Sequence, residues 1–185
     1  MIRNTILSLL AAAALAALPA NLHAENAAAA PATQKAPQAT TFDFTTTDGK
    51  KITITETPDG LKFPTLPGKN VITMFYIYSG TPCRKELQMF TNEILPKHSE
   101  LAIVAFELKG LKPDQLKAFE KELGIKGIEM IDTAQAMPFA DYIARRIRWQ
   151  GSVPLLIVSN KNGTVKHMQL GAMDAKKTEE VLSKL

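Results

Sequence analysis

Polar and apolar residues alternate through Thr41-Phe42-Asp43-Phe44 and again through Lys51-Ile52-Thr53-Ile54, on either side of Asp48-Gly49. A period of two about such a turn pair predicts a β-hairpin. The pattern then changes. Val71 to Tyr78 and Leu101 to Phe106 are nearly continuous apolar runs, as expected of strands buried on both faces. Between them Leu87, Phe90 and Ile94 recur at helical spacing, predicting a helix that opens at Pro82 and ends near Leu95, before Pro96. A second helix is predicted from Pro113, carrying Leu116, Phe119 and Leu123, with Gly124 as its C-terminal cap. Ile128 to Ile131 reads as a short strand, and Pro138 to Arg146 as a helix with Phe139, Tyr142 and Ile143 inward. Pro154 to Val158, a turn at Asn160–Gly163 and Thr164 to Leu170 read as a returning hairpin. Asp174 is placed to cap a last helix containing Val181, Leu182 and Leu185. Strands alternating with helices, then a hairpin and a helix, imply an α/β sandwich around a mixed sheet.

The pattern begins only at residue 41. Residues 1–24 carry Arg3, an apolar Ile6–Leu18 stretch, Pro19 and Leu22-His23-Ala24, the layout of a cleaved export signal. That stretch is too short for a stable membrane span, so no membrane insertion is expected after cleavage. Residues 25–40 are Ala/Pro/Gln-rich and read as a disordered linker. Residues 41–185 form the one globular domain. With 22 Lys+Arg against 18 Asp+Glu, interspersed along the chain, the mildly basic balance does not argue for nucleic acid.

A single cysteine, Cys83, changes the picture most. An exported chain with one cysteine has no internal disulfide, and its thiol is buried, reactive or paired with another molecule. Cys83 follows Pro82, a residue suited to the first helical position, and so falls in the first helical turn. Backbone N–H groups and the helix dipole there favour thiolate over thiol. Gly80 stands where a Cys-x-x-Cys pair would have its first cysteine. Two readings of Gly80 stay open: a residue that permits the turn, or a vacated nucleophile position. Cys83 itself is either a solvent-reachable thiol or a small core residue.

The order of elements, Pro82-Cys83-Arg84-Lys85-Glu86, the segment Val153-Pro154-Leu155-Leu156-Ile157-Val158, and Asn160–Gly163 followed by Val165 and Gly171 together resemble the TlpA/ResA-like thiol–disulfide oxidoreductases. The resemblance covers about residues 41–185. It implies a thioredoxin-like sandwich: a central mixed sheet flanked by helices, with an N-terminal β-hairpin extension and an inserted helix–strand. It implies Cys83 as the catalytic sulfur, aided by Thr81 and Pro82, and Gly80, Val153, a cis Pro154 and Trp149 as the substrate-binding surface. It implies a periplasmic location and partners that are protein or peptide thiols and disulfides of the cell envelope. Cys83 corresponds to the family's second cysteine, so a two-electron cycle within one molecule is impossible. The expected activity is single-cysteine mixed-disulfide chemistry. The alternatives are a redox-inactive module that binds an extended peptide, and a dimer linked through Cys83. Peroxiredoxins place Pro-x-x-x-Thr-x-x ahead of their cysteine, and Tyr76 and Gly80 break that pattern here.

The remaining candidates carry weaker signals. Glu86, one helical turn past Cys83, reads as a solvated helix residue or a proton relay. Arg145, Arg146 and Arg148 read as a basic helix end, with Arg148 or Trp149 bordering the Cys83 pocket as the sharper reading. Tyr76 and Tyr78 read as sheet residues, with Tyr78 approaching the site. His98 and His167 lack ligand partners at metal spacing, and no metal site or cofactor is expected.

Overall fold

The computed structural model describes residues 39–185. The predicted signal segment and most of the predicted linker lie outside them. Eight strands and four helices follow in the order β1 (Thr41–Thr45), β2 (Lys51–Thr57), β3 (Gly60–Lys62), β4 (Asn70–Tyr76), α1 (Thr81–Met89), β5 (Leu101–Glu107), α2 (Pro113–Leu123), β6 (Ile128–Ile131), α3 (Thr133–Ile147), β7 (Leu155–Ser159), β8 (Val165–Leu170) and α4 (Ala175–Leu182).

The apolar runs take the centre, as burial on both faces requires. β4 lies between β5, parallel to it, and β7, antiparallel to it, in a five-stranded sheet ordered β6-β5-β4-β7-β8. Alternate β4 residues feed two cores. Ile72, Met74 and Tyr76 pack with Cys83, Leu87, Phe90, Leu116 and Phe119 under α1 and α2. Val71 and Phe75 pack on the other face with Phe106, Phe139 and Ile143 of α3 and with Phe44, Ile52 and Ile54 of the hairpin.

The predicted hairpin forms its own antiparallel sheet, with Phe44 opposite Ile52. It gains β3 from the Pro/Gly-rich stretch between Pro58 and Gly68, whose residues show no strand periodicity. Gly60 makes this possible. A Cβ there would stand 2.6 Å from the Gly163 carbonyl oxygen and 2.7 Å from the Val165 nitrogen, so only glycine lets β3 lie against the β7–β8 turn.

One helix boundary and one helical turn differ from expectation. α3 starts at Thr133 and not at Pro138, because the Asp132 carboxylate caps it by accepting from Ala134 N and Gln135 N. That earlier cap carries the helix through Pro138. The helix opened at α1 does run to Ile94, with Leu95 as its cap, but its last turn, Phe90–Ile94, is π-helical, and α4 packs against that turn.

His98 joins α4 to this region. Its Nδ1 lies 2.8 Å from Glu100 Oε1 and its Nε2 2.7 Å from Glu179 Oε2. The hydrogen bond with Glu100, then that with Glu179, raises the imidazole's pKa, and His98 lowers that of Glu179. The sign follows from each shift. The imidazole's contribution is full below its ordinary pKa of about 6.5 and is lost as pH rises through the higher folded value. The carboxylate's contribution is lost as pH falls below the ordinary range of about 4.3. Amide protection of α4, followed by hydrogen exchange, is therefore expected to peak between those limits and to weaken above neutrality. His98→Gln should remove the weakening on the alkaline side; an unchanged profile would mean that the imidazole does not hold the helix.

Candidate functional site

β4 delivers the site. Its last residue is Tyr76, after which the Ile77 carbonyl accepts from Gly80 N at 3.1 Å and turns the chain into α1. Gly80 is the N-cap, Pro82 sits in the first turn, and Arg84 N closes on the Gly80 carbonyl at 3.0 Å. Cys83 thereby points back under the turn into the α1–α2 core. β7 runs antiparallel to β4, with Phe75 opposite Leu155, so Val153 and Pro154 reach the same end of the sheet. The Val153–Pro154 peptide bond is cis. Ile77 and Val153 line one cavity of about 460 Å³ with Leu108, Met137 and Trp149. The Trp149 indole donates to the Ser152 carbonyl at 2.8 Å and lies 5.3 Å from the Phe75 ring.

Gly80 is the decisive position. Its φ of −80° and ψ of 116° are open to any L-residue, so the turn does not need glycine. A Cβ on its backbone would stand 3.2 Å from Cys83 Sγ and 3.1 Å from Ile77 Cγ1. A disulfide's bond lengths and angles put one partner's Cβ about 3.0 Å from the other's sulfur. The sulfur therefore faces a notch with the spacing of half a disulfide.

Burial works against a thiolate inside this notch. Cys83 is 1% exposed. Burial pushes its pKa up, a hydrogen bond to the Ile77 backbone pulls it down, and the neighbouring Glu86 raises it again. The dipole argument for a thiolate fails here because desolvation outweighs it. Burial also sets a disulfide between two copies at a disadvantage, since both sulfurs would have to reach the surface.

Glu86 corrects a second expectation. It is 2% exposed, not solvated. Its Oε1 accepts from Met173 N at 2.8 Å, and its buried Oε2 has no partner among the described residues. Burial raises its pKa to about 7, against the pull of the Met173 amide. The folded state thus keeps a proton that the unfolded chain releases near 4.3, and this contribution destabilises as pH rises towards about 7. Glu86→Gln keeps an acceptor for Met173 N and removes the charge beside the sulfur. At a pH above the Glu86 value of about 7, maleimide labelling of Cys83 in this variant is expected to run about threefold faster. An unchanged labelling curve would show that the carboxyl does not sense the thiol.

Of the other predicted site residues, Thr81 and Pro82 are exposed on the helix start, and Thr81 makes no hydrogen bond to the sulfur among the described residues. Tyr78 approaches from the α2 side, its ring 6.5 Å from Phe119. Arg146 pairs with Glu56 at 2.9 Å, whereas Arg148 lies on the outer rim with Trp149. Sequence reasoning missed Glu107. Fully buried at the end of β5, it accepts from the backbone nitrogens of Tyr78, Lys109, Gly110 and Leu111 at 2.8–3.3 Å and from the Thr133 hydroxyl. It fixes the loop beside the site. A lone carboxylate closing an apolar strand gives no sequence signal for this. Glu86 did give one: Cys83, Glu86, Leu87, Phe90 and Ile94 form one helical stripe, and Glu86 lies within it.

No family model matches the chain, and no curated protein matches it. Solved structures do. StoA from Bacillus subtilis aligns over 77% of this chain and 96% of its own, with 18% identity and a TM-score of 0.56. A thiol:disulfide interchange protein of the thioredoxin family from Chlorobium tepidum TLS covers 80% and 94%, with 18% identity and a TM-score of 0.62. A secreted Mycobacterium tuberculosis disulfide oxidoreductase covers 78% and 96%, with 16% identity and a TM-score of 0.56. The fold is thioredoxin-like.

Proposed function

We propose that this is an exported, periplasmic thioredoxin-fold protein that forms mixed disulfides with partner thiols through Cys83 alone. One observation carries the reading: Gly80 leaves a notch 3.2 Å from the sulfur at the position of a missing side chain, next to the Val153–Pro154 loop. Export rests on residues 1–24 and on the secreted neighbour. A partner disulfide R–S–S–R′ enters over Gly80, and Cys83 Sγ attacks one sulfur. The Cys83–S–S–R bond forms, the S–S bond of the partner breaks, and R′S⁻ leaves with the thiol's proton as R′SH. Cys83 is oxidised as R′S is reduced. An external thiol then attacks the mixed disulfide and returns Cys83 to its thiol. Gly80, Val153, Pro154 and Trp149 hold the partner chain, and Thr81 and Pro82 set the helix start.

The burial of Cys83 favours a second reading, a redox-silent module that holds an extended peptide of an envelope partner in the Ile77–Val153 cavity. Incubation of the folded protein with glutathione disulfide separates the two. A single adduct by mass, absent in Cys83→Ser and reversed by added thiol, is the expected result. No adduct on the folded protein, with one appearing only after unfolding, would leave the second reading.

A further inference from the structure

The cavity of about 460 Å³ beside the notch has the size of a small-molecule site. Its wall is mostly apolar, with Ile77, Leu108, Met137, Trp149 and Val153. Asp141 is the one ionisable residue in that wall. It is exposed on α3, one turn past Met137, and makes no ion pair or hydrogen bond with the described residues. Arg145, a further turn along the helix, does not pair with it.

A cation stands where this cavity meets the notch. Lys109 follows Leu108, and its Nζ donates to Ser79 Oγ at 3.0 Å, on the residue before Gly80. Glu107 fixes the Lys109 backbone by accepting from its nitrogen at 2.8 Å. The ammonium has no carboxylate partner among the described residues. Only the Ile77 side chain separates the cavity from the sulfur. It lines the cavity, and its Cγ1 lies 3.1 Å from the place of a Gly80 Cβ, itself 3.2 Å from Cys83 Sγ. An occupant that satisfies this site needs apolar bulk, a positive group for Asp141 and a negative group for Lys109. The volume limits it to a few residues in size.

We infer that the thiol exchanged at Cys83 is a small zwitterionic one, RSH, carrying an ammonium and a carboxylate and seated in this cavity. Its ammonium meets Asp141, its carboxylate meets Lys109, and its sulfur lies over Gly80. The inference names the partner of the mixed-disulfide reading and rests on that reading for its chemistry. The disulfide R–S–S–R enters, and Cys83 Sγ attacks one of its sulfurs. The Cys83–S–S–R bond forms, the S–S bond of R–S–S–R breaks, and the second RS⁻ leaves with the thiol's proton as RSH. Excess RSH reverses the step and frees Cys83, so no other reductant is needed.

Two measurements on the full chain test this, one of them without sulfur chemistry. Trp149 is the only tryptophan and lines the cavity. S-methylglutathione, which cannot exchange, should shift its emission saturably in Cys83→Ser. The second measurement is the rate of adduct formation at Cys83 with three disulfides: glutathione disulfide with both charges, cystamine with ammonium groups alone, and dithiodipropionate with carboxylates alone. Glutathione disulfide should react fastest. Lys109→Met should lower its rate relative to that of cystamine about threefold, and Asp141→Asn should lower it about threefold relative to that of dithiodipropionate, the scale of one exposed charge pair. A merely structural role for either residue would not follow the charge of the disulfide. No saturable shift with S-methylglutathione, or rate ratios unchanged in both variants, would overturn the inference while any adduct upholds the sulfur reading. A protein disulfide that reacts faster than glutathione disulfide would overturn it too, in favour of a protein partner. Binding of S-methylglutathione with no adduct from any disulfide would instead overturn the sulfur reading and leave the cavity with its ligand.

Discussion

A Gly80→Cys variant is expected to close an intramolecular disulfide with Cys83 on air oxidation and to gain a two-electron redox cycle that the native chain lacks. Three observations support this. The backbone at position 80 already has dihedrals that suit any L-residue. The new Cβ would stand 3.2 Å from Cys83 Sγ, close to the roughly 3.0 Å that disulfide geometry imposes. The neighbour that must yield is Ile77 Cγ1 at 3.1 Å, a side-chain atom at the cavity wall with room to turn. Thiol titration under denaturing conditions should fall to zero after oxidation and recover to two thiols per chain after reduction. Thiol-driven reduction of a protein disulfide should rise from background to measurable turnover. Two free thiols persisting after oxidation would mean that the notch is not a vacated cysteine position, and the mixed-disulfide reading would lose its geometric basis.

The same residues show how far the sequence alone carries. The apolar runs at 71–78 and 101–106 and the stripe through Leu87, Phe90 and Ile94 located the central strands and α1, because burial on both faces leaves few other patterns. The hairpin was legible from Asp48-Gly49. β3 was not, since three residues between Pro58 and Pro64 offer no periodicity, and what places them is the close approach of Gly60 to Gly163. At the site, the position of Cys83 after Pro82 was legible, but the state of its sulfur was not. Helix-dipole reasoning counts local charge. The outcome here is set by desolvation under Tyr76 and Leu87, which depends on how the chain packs three dimensions around the turn. Glu86 was misread for the opposite reason: residue type outweighed a helical phase that already put it inside.

Glu107→Ala is expected to be the most damaging single substitution in the domain. Glu107 is fully buried, and its two carboxylate oxygens gather four backbone N–H groups and one hydroxyl. These donors span three separate pieces of chain: the residue before Ser79-Gly80, the 109–111 loop into α2, and Thr133 at the start of α3. A hydrogen bond to a charged acceptor contributes about 1.5–3 kcal/mol, and a buried donor left unpaired costs about 1–3 kcal/mol. Water reaches part of this loop, so the sum is not additive, and a loss of about 3–5 kcal/mol is expected, in the range seen when one partner of a buried charged network is removed. For a domain of this size that lowers the melting temperature by roughly 10 °C or more. Glu107→Gln keeps the shape but turns an amide NH₂ towards donors, so it should be milder yet still destabilising. The Tyr78 amide ties this network to the Cys83 turn, so both variants should also speed maleimide labelling of Cys83 at temperatures well below unfolding. Thermal unfolding of the two variants, with labelling at 25 °C, checks both parts. A melting temperature within a degree or two of the native value for Glu107→Ala would mean that the loop holds without its carboxylate and that the wall of the site is fixed by packing alone.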